Sequence, residues 1–473
     1  MNVAPRSSCN IHVAALFEER ARVTQSDLLQ TDGRQPPKNF RSRLKYLGPG
    51  LIISGAIVGS GELIATTALG AKVGFVALWL ILFSCVIKVV VLEELGRYTI
   101  SSGETTFRAL NRVPRRIGPL SWVVWCWVLV FIGITMLSGG IAGGVGQVLH
   151  LAFPQLSANV WMLIMAALTV AVLATKGQFG FIETASTVMV FGFTVITLVC
   201  AILLQWTPYP LQLADVIEGL KLKMPAQGWQ VAFGVFGLTG ISAGELVIYP
   251  YWCLEKGYAR FVGEHRESAA WTDRAQGWLR VLKLDVLLSM VVYTAVTVAF
   301  YFLGAAILYQ HGAVPSDSEM VRTLSQIYTV TLGPGALALF LAGAFAVLYS
   351  TLFVHAASFP RLLIDLLELL GVLQIGDDER QRKKWLNILT LGLVSVYVLW
   401  YLLLEVPVTM VLIGGALQTC LLPILAASTL YLRYRHLDVR IAPSGIITLL
   451  LWIATMLMAV FAIYSSVTSL QKL

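Results

Sequence analysis

Charge is scarce in this chain. Asp, Glu, Lys and Arg make up 13% of its 473 residues, against 57% hydrophobic residues, and the mean hydropathy is +0.76. A water-soluble chain of this length needs far more polar surface, so the sequence describes an integral membrane protein whose first partner is the lipid bilayer. Paired cysteines are missing as well. Cys9, Cys85, Cys126, Cys200, Cys253 and Cys420 lie scattered, mostly in apolar runs and with no C-x-x-C spacing, which excludes a disulfide framework and a structural zinc site. There is no HExxH, no P-loop and no GxSxG elbow, so neither enzymatic activity nor a resident cofactor is expected.

A helix needs about 20 apolar residues to cross the hydrocarbon. On that rule the sequence holds eleven spans: 47–70, 75–96, 121–148, 159–175, 181–205, 229–254, 280–309, 334–358, 386–404, 407–430 and 444–469. Residues 1–46 are polar and read as a disordered tail, and 431–473 carry the eleventh helix and the C-terminus. Of the 34 lysines and arginines, 26 fall on one set of alternate segments and five on the other. That bias puts the N-terminus in the cytoplasm and, with an odd number of spans, the C-terminus outside, in the plasma or cell inner membrane. It also explains the net charge of +8 by cytoplasmic loops facing anionic lipid, so no nucleic-acid partner is expected. The stretch KNFRSRLKY (38–46) and the 255–283 segment, with Trp271 and Trp278, read as interfacial anchors.

One phrase occurs twice. VGSGELI (58–64) in the first span has a counterpart in ISAGELV (241–247) in the sixth, aligning Glu62 with Glu245. The two spans therefore occupy equivalent positions in two five-helix repeats, 47–205 and 229–430. Because five is odd, the second repeat enters the membrane inverted, an architecture common among secondary transporters. Gly55, Gly59 and Gly61 precede Glu62, and Gly237, Gly240 and Gly244 precede Glu245. Glycine costs about 1 kcal/mol in a helix interior relative to alanine, so both helices are expected to break there. Unwound backbone at membrane depth is tolerated only against protein or water. A single GxxxG usually marks helix packing, but an intramembrane carboxylate is costly and usually functional. Two matched motifs favour the second reading, in which Glu62 and Glu245 line one central cavity.

GPGLIISGAIVGSGELIATTALGAKVGFVALW (48–79), followed by RYTISSGE (97–104), resembles the start of the Nramp family of divalent metal transporters. The resemblance extends over roughly 47–470 and implies an all-α, LeuT-type fold with ten core helices plus one, broken first and sixth helices, alternating access and, often, proton coupling. The metal site departs from the family. Its first-helix Asp-Pro-Gly-Asn falls on Gly59, Ser60, Gly61 and Glu62, and its sixth-helix Met-Pro-His falls on Gly244, Glu245 and Leu246. With no thioether, a bound metal is expected to have all-oxygen ligands, with Mn2+ or Mg2+ favoured over Fe2+. The candidates are the carboxylates of Glu62 and Glu245, carbonyls near Val58, Gly59 and Gly240, and neutral oxygens of Ser60, Ser242 and Gln418.

Other polar groups lie inside spans. Lys88 either snorkels toward the membrane surface or pairs with Glu62. His355, alone within its span, is either a hydrogen-bonded core residue or a relay. Glu183 and Asp285 read as interface groups on the cytoplasmic side. The third span carries no acid, although the family usually has carboxylates there, so Glu62 or Glu245 is left to carry any coupled proton. The expected function is divalent-cation transport. The alternatives are the same fold moving a non-metal solute with the glutamates as coupling groups, and a membrane scaffold or sensor that transports nothing. Oligomeric state is left open.

Overall fold

The computed structural model describes residues 33–470 apart from Ser60, 226–227, Arg266, Pro334 and Asp377. The described chain is almost wholly helical, with one short strand pair, Arg116–Ile117 against Leu120–Ser121. Among the described residues ten stretches are long and apolar enough to cross a membrane. The first, Pro49–Ser102, has 54 residues, and is divided at Gly74, where φ is +63°.

The principal helices are α1 (Pro49–Ile57), α2 (Thr67–Val73), α3 (Leu78–Ser102), α4 (Trp122–Ala152), α5 (Ala158–Lys176), α6 (Phe179–Leu203), α7 (Trp229–Leu238), α8 (Ala243–Lys256), α9 (Ala269–Leu303), α10 (Ala336–Leu369), α11 (Glu379–Leu404), α12 (Pro407–His436) and α13 (Gly445–Leu470). Both expected breaks are present. Between α1 and α2 the chain turns at Val58 and Gly59 and re-enters through a π-helical turn, Gly61–Thr66. Between α7 and α8 it is extended at Thr239 and Ser242, with a left-handed Gly240 at φ +64°. Two requirements converge on Gly240, because a Cβ there would also stand 2.9 Å from the Cα of Cys85 on α3.

The broken helices sit at the centre. α1 packs against α6, α8, α9 and α10, while α7 packs chiefly on α12, and α12 in turn on α4. α3 runs beside α8 and α9. Outside this core, α13 rests on α12 and α3.

Three expectations are corrected. Residues 33–46 are not a disordered tail: the Arg34 amide donates to Phe261 O and the Trp278 indole donates to Arg34 O, each at 3.0 Å, and Phe40–Leu44 form a helical turn. The part of the tail from 1 to 32 lies outside the described residues. Trp271 and Trp278 are not interfacial anchors but fully buried, the latter edge-on to Tyr46. Asp285 is not a surface group either. It is buried in α9 and takes the amides of Gly48 (3.0 Å) and Gly50 (2.7 Å) together with the Tyr249 hydroxyl (3.0 Å), which caps α1 from another helix. Beside it, Glu183 pairs with Lys256 at 2.8 Å.

Asp285→Ala leaves those two α1 amides without their acceptor in a buried place. It is expected to destabilise the protein by about 1–3 kcal/mol, read as a lowered unfolding midpoint. A fall no larger than that of Ser289→Ala, which removes one hydroxyl from the same turn, would refute the cap.

Candidate functional site

Where the two breaks meet, a cavity of about 20 Å3 is lined by residues of α1, α4, α7, α8, α10 and α12. One water needs about 10–15 Å3, so the cavity has room for at least one. Its polar lining includes Ser242, Glu245, Thr351, His355 and Gln418.

Glu245 owes its position to helix chemistry. Ser242 is the N-cap of α8 and Glu245 its third helical residue, forming a capping box in which the Ser242 amide donates to Glu245 Oε2 at 3.1 Å. The Ser242 hydroxyl lies against that same oxygen and also 2.6 Å from Gln418 Oε1. The Gln418 amide cannot be turned round, because its Oε1 accepts the Gly244 N–H at 3.0 Å. One hydroxyl hydrogen therefore faces two acceptors. Each of the two also takes a backbone N–H, from Ser242 and Gly244 respectively.

His355 faces the other carboxylate oxygen, with Nε2 3.6 Å from Glu245 Oε1. Its Nδ1 is 2.9 Å from Ser138 Oγ, and Ser138 spends its own hydrogen on Ile134 O at 2.9 Å. Nδ1 is then the donor to Ser138 Oγ, and Nε2 is the ring atom that faces Glu245 and the cavity. An imidazole nitrogen therefore stands among the oxygens that line the cavity.

The expected residues separate into two groups. Glu245, Ser242, Gln418 and His355 come together on the cavity. Glu62, Gly59, Gly240 and Lys88 are not among its lining residues, and Ser60 lies outside the described residues. Glu62 is fully buried and accepts the Thr297 hydroxyl at 3.1 Å through Oε1, while Oε2 accepts no hydrogen bond among the described residues. Among the described residues one carboxylate, not two, faces the cavity. The Gly59 carbonyl accepts the Leu63 amide at 3.0 Å, so it is engaged in the backbone. Lys88 neither snorkels nor meets a carboxylate among the described residues: it is 0% exposed, and its Nζ donates to Phe236 O (2.5 Å) and Thr239 O (2.7 Å).

Sequence reading passed over Thr351 and Ser138. Serine and threonine are common inside apolar helices and carry little signal singly. Thr351 stands four residues before His355, however, and that spacing puts both on one face of α10.

Several known proteins are similar to this chain. The divalent metal cation transporter MntH of Bacillus subtilis is 24% identical over 288 residues, 60% of this chain and 62% of that protein. MntH of Deinococcus radiodurans is 24% identical over 309 residues, 65% of this chain and 66% of the relative, so the chain spans slightly under two thirds of either relative. The manganese transporter of Eremococcus coleocola, solved with an aromatic bis-isothiourea compound, superimposes with a TM-score of 0.70 at 16% identity. That match covers 92% of this chain and 90% of the transporter and establishes the LeuT-type fold with its two broken helices. The sequence model of the natural resistance-associated macrophage protein-like family, Nramp, matches residues 50–468, and the chain belongs to that family.

Proposed function

We propose that this protein is a secondary transporter, not an enzyme, and moves a divalent metal cation by alternating access through the cavity around Glu245. The observation that carries this reading is the convergence of three oxygens, from Ser242, Glu245 and Gln418, on one buried cavity beside His355. Carboxylate and amide oxygens suit hard ions, and one imidazole nitrogen moves the preference from magnesium and calcium toward the first-row transition metals. Mn2+ is the ion that fits both. The relatives' names support the same class of cargo.

The size of the cavity argues against an organic solute. A scaffold has no use for a buried carboxylate aimed into a void. A proton on Glu245 and a divalent ion satisfy the same oxygens, so the two compete, which supplies a route to proton coupling. For topology we adopt two crossings in Pro49–Ser102, eleven in all, with the N-terminus cytoplasmic in the cell's inner membrane, on the lysine and arginine bias.

The test is uptake into proteoliposomes with internal pH recorded. Saturable Mn2+ uptake above protein-free vesicles is expected, with weaker competition from Mg2+ and Ca2+. His355→Gln is expected to narrow the gap between Mn2+ and Mg2+ by roughly tenfold, the low end of what a metal-site partner contributes. Folded, inserted protein that moves no divalent ion would overturn the reading.

A further inference from the structure

Lys88 has no part in the function just proposed, yet its surroundings are built. It lies in α3 with Ser84 one turn before it, and the two side chains address the same pair of oxygens. Ser84 Oγ lies 3.1 Å from Phe236 O and 3.0 Å from Thr239 O, and Lys88 Nζ lies 2.5 and 2.7 Å from them. The ammonium also sits 4.9 Å from the centre of the Phe236 ring. Both carbonyls belong to the end of α7, where the chain leaves the helix and Gly240 turns left-handed. A helix end exposes carbonyls that have lost their amide partners and carries the negative end of the helix dipole.

No carboxylate pairs with Lys88 among the described residues. Its charge is held by two carbonyl dipoles and an aromatic face, the surroundings that suit a free ammonium or alkali ion. A neutral side chain here would leave the carbonyls facing each other without a donor strong enough for both.

We propose that Lys88 is a built-in cation. Its ammonium fills a monovalent-cation position formed by Phe236 O, Thr239 O and the Phe236 ring, and so holds the Thr239–Ser242 turn that presents Ser242 and Glu245 to the cavity. Transport then needs no exchangeable monovalent ion at this break. The transport arm of the test rests on the proposed function; the stability arm does not.

The experiment is thermal unfolding of purified wild type, Lys88→Ala and Lys88→Met in choline chloride and in ammonium or methylammonium chloride at matched ionic strength. Lys88→Ala is expected to unfold earlier in choline and to recover by a few degrees, saturably, in ammonium, as linkage requires of a ligand bound only by the folded state. Wild type is expected to be indifferent to the salt. Lys88→Met, which fills the space without charge, is expected to stay low in both. In uptake assays Lys88→Ala is expected to fall to background in choline and return in part with ammonium.

An ammonium response of Lys88→Ala no larger than that of wild type would overturn the proposal, as would Lys88→Met with wild-type stability. Should Lys88→Ala yield no folded protein in either salt, wild type decides: loss of its stability on replacing sodium, potassium and ammonium by choline would sink the idea, and indifference would support it. Wild type that moves no Mn2+ would sink the proposed function while leaving the unfolding result to stand.

Discussion

Glu245→Gln is expected to reduce divalent-cation binding and uptake by roughly 100-fold or more, beyond the 10–100-fold that loss of an outer-shell partner costs at metal sites. The amide keeps the size of the side chain but removes the single carboxylate on the cavity, and its NH2 group puts donors where a cation needs acceptors. The matched variant, Glu62→Gln, is expected to leave binding within about threefold, since direct contacts, not remote charges, dominate coordination of a hard ion. Its carboxylate faces Thr297 instead. Calorimetric titration of both variants with Mn2+ checks the contrast. Equal losses would mean that the ion occupies the Glu62 side of the breaks and that the cavity is not its seat.

Gly59→Ala is the second substitution with a large expected effect, this time on the fold around the site. A Cβ at residue 59 would lie 1.4 Å from Thr351 Oγ1 and 2.7 Å from Thr351 Cβ. Thr351 would have to leave its place, where its hydroxyl reaches Gly55 O (3.3 Å) and Ala56 O (3.2 Å) at the end of α1, or else α1 and α10 would have to part. Overpacking of this kind costs about 1–3 kcal/mol, with about 1 kcal/mol more for each hydrogen bond lost. The clash is with one side chain, so Thr351→Ala should relieve it. The double variant is expected to be more stable than the sum of the two single losses allows, by about 0.5–3 kcal/mol. Strict additivity in unfolding midpoints would show that the close approach does not exist.

The fold was legible because its causes are local. Apolar runs of the right length mark the crossings, and the glycines before Glu62 and Glu245 mark the breaks. Half of the site was legible for the same reason, since Ser242 and Glu245 stand at capping-box spacing. The symmetry of the two phrases misled over Glu62. Glu245 sits in the first turn of a capped α-helix, whereas Glu62 sits in a π-helical turn, and the different residues per turn aim the two carboxylates at different neighbours. Lys88 stood out as a charge inside a span, but its partners were not legible. Its partners lie 148 and 151 residues away, and backbone carbonyls leave no trace in a sequence. Residues 33–46 failed for a related reason: Arg34 is held through its backbone, which composition does not register.

The donors that line the cavity carry a kinetic meaning for the transport proposed above. An ion seated against Ser242, Glu245 and Gln418 exchanges part of its water shell for their oxygens on the way in. Magnesium dehydrates reluctantly. Discrimination against it is then set partly by how slowly it undresses, and it persists even where the bare ion would bind well.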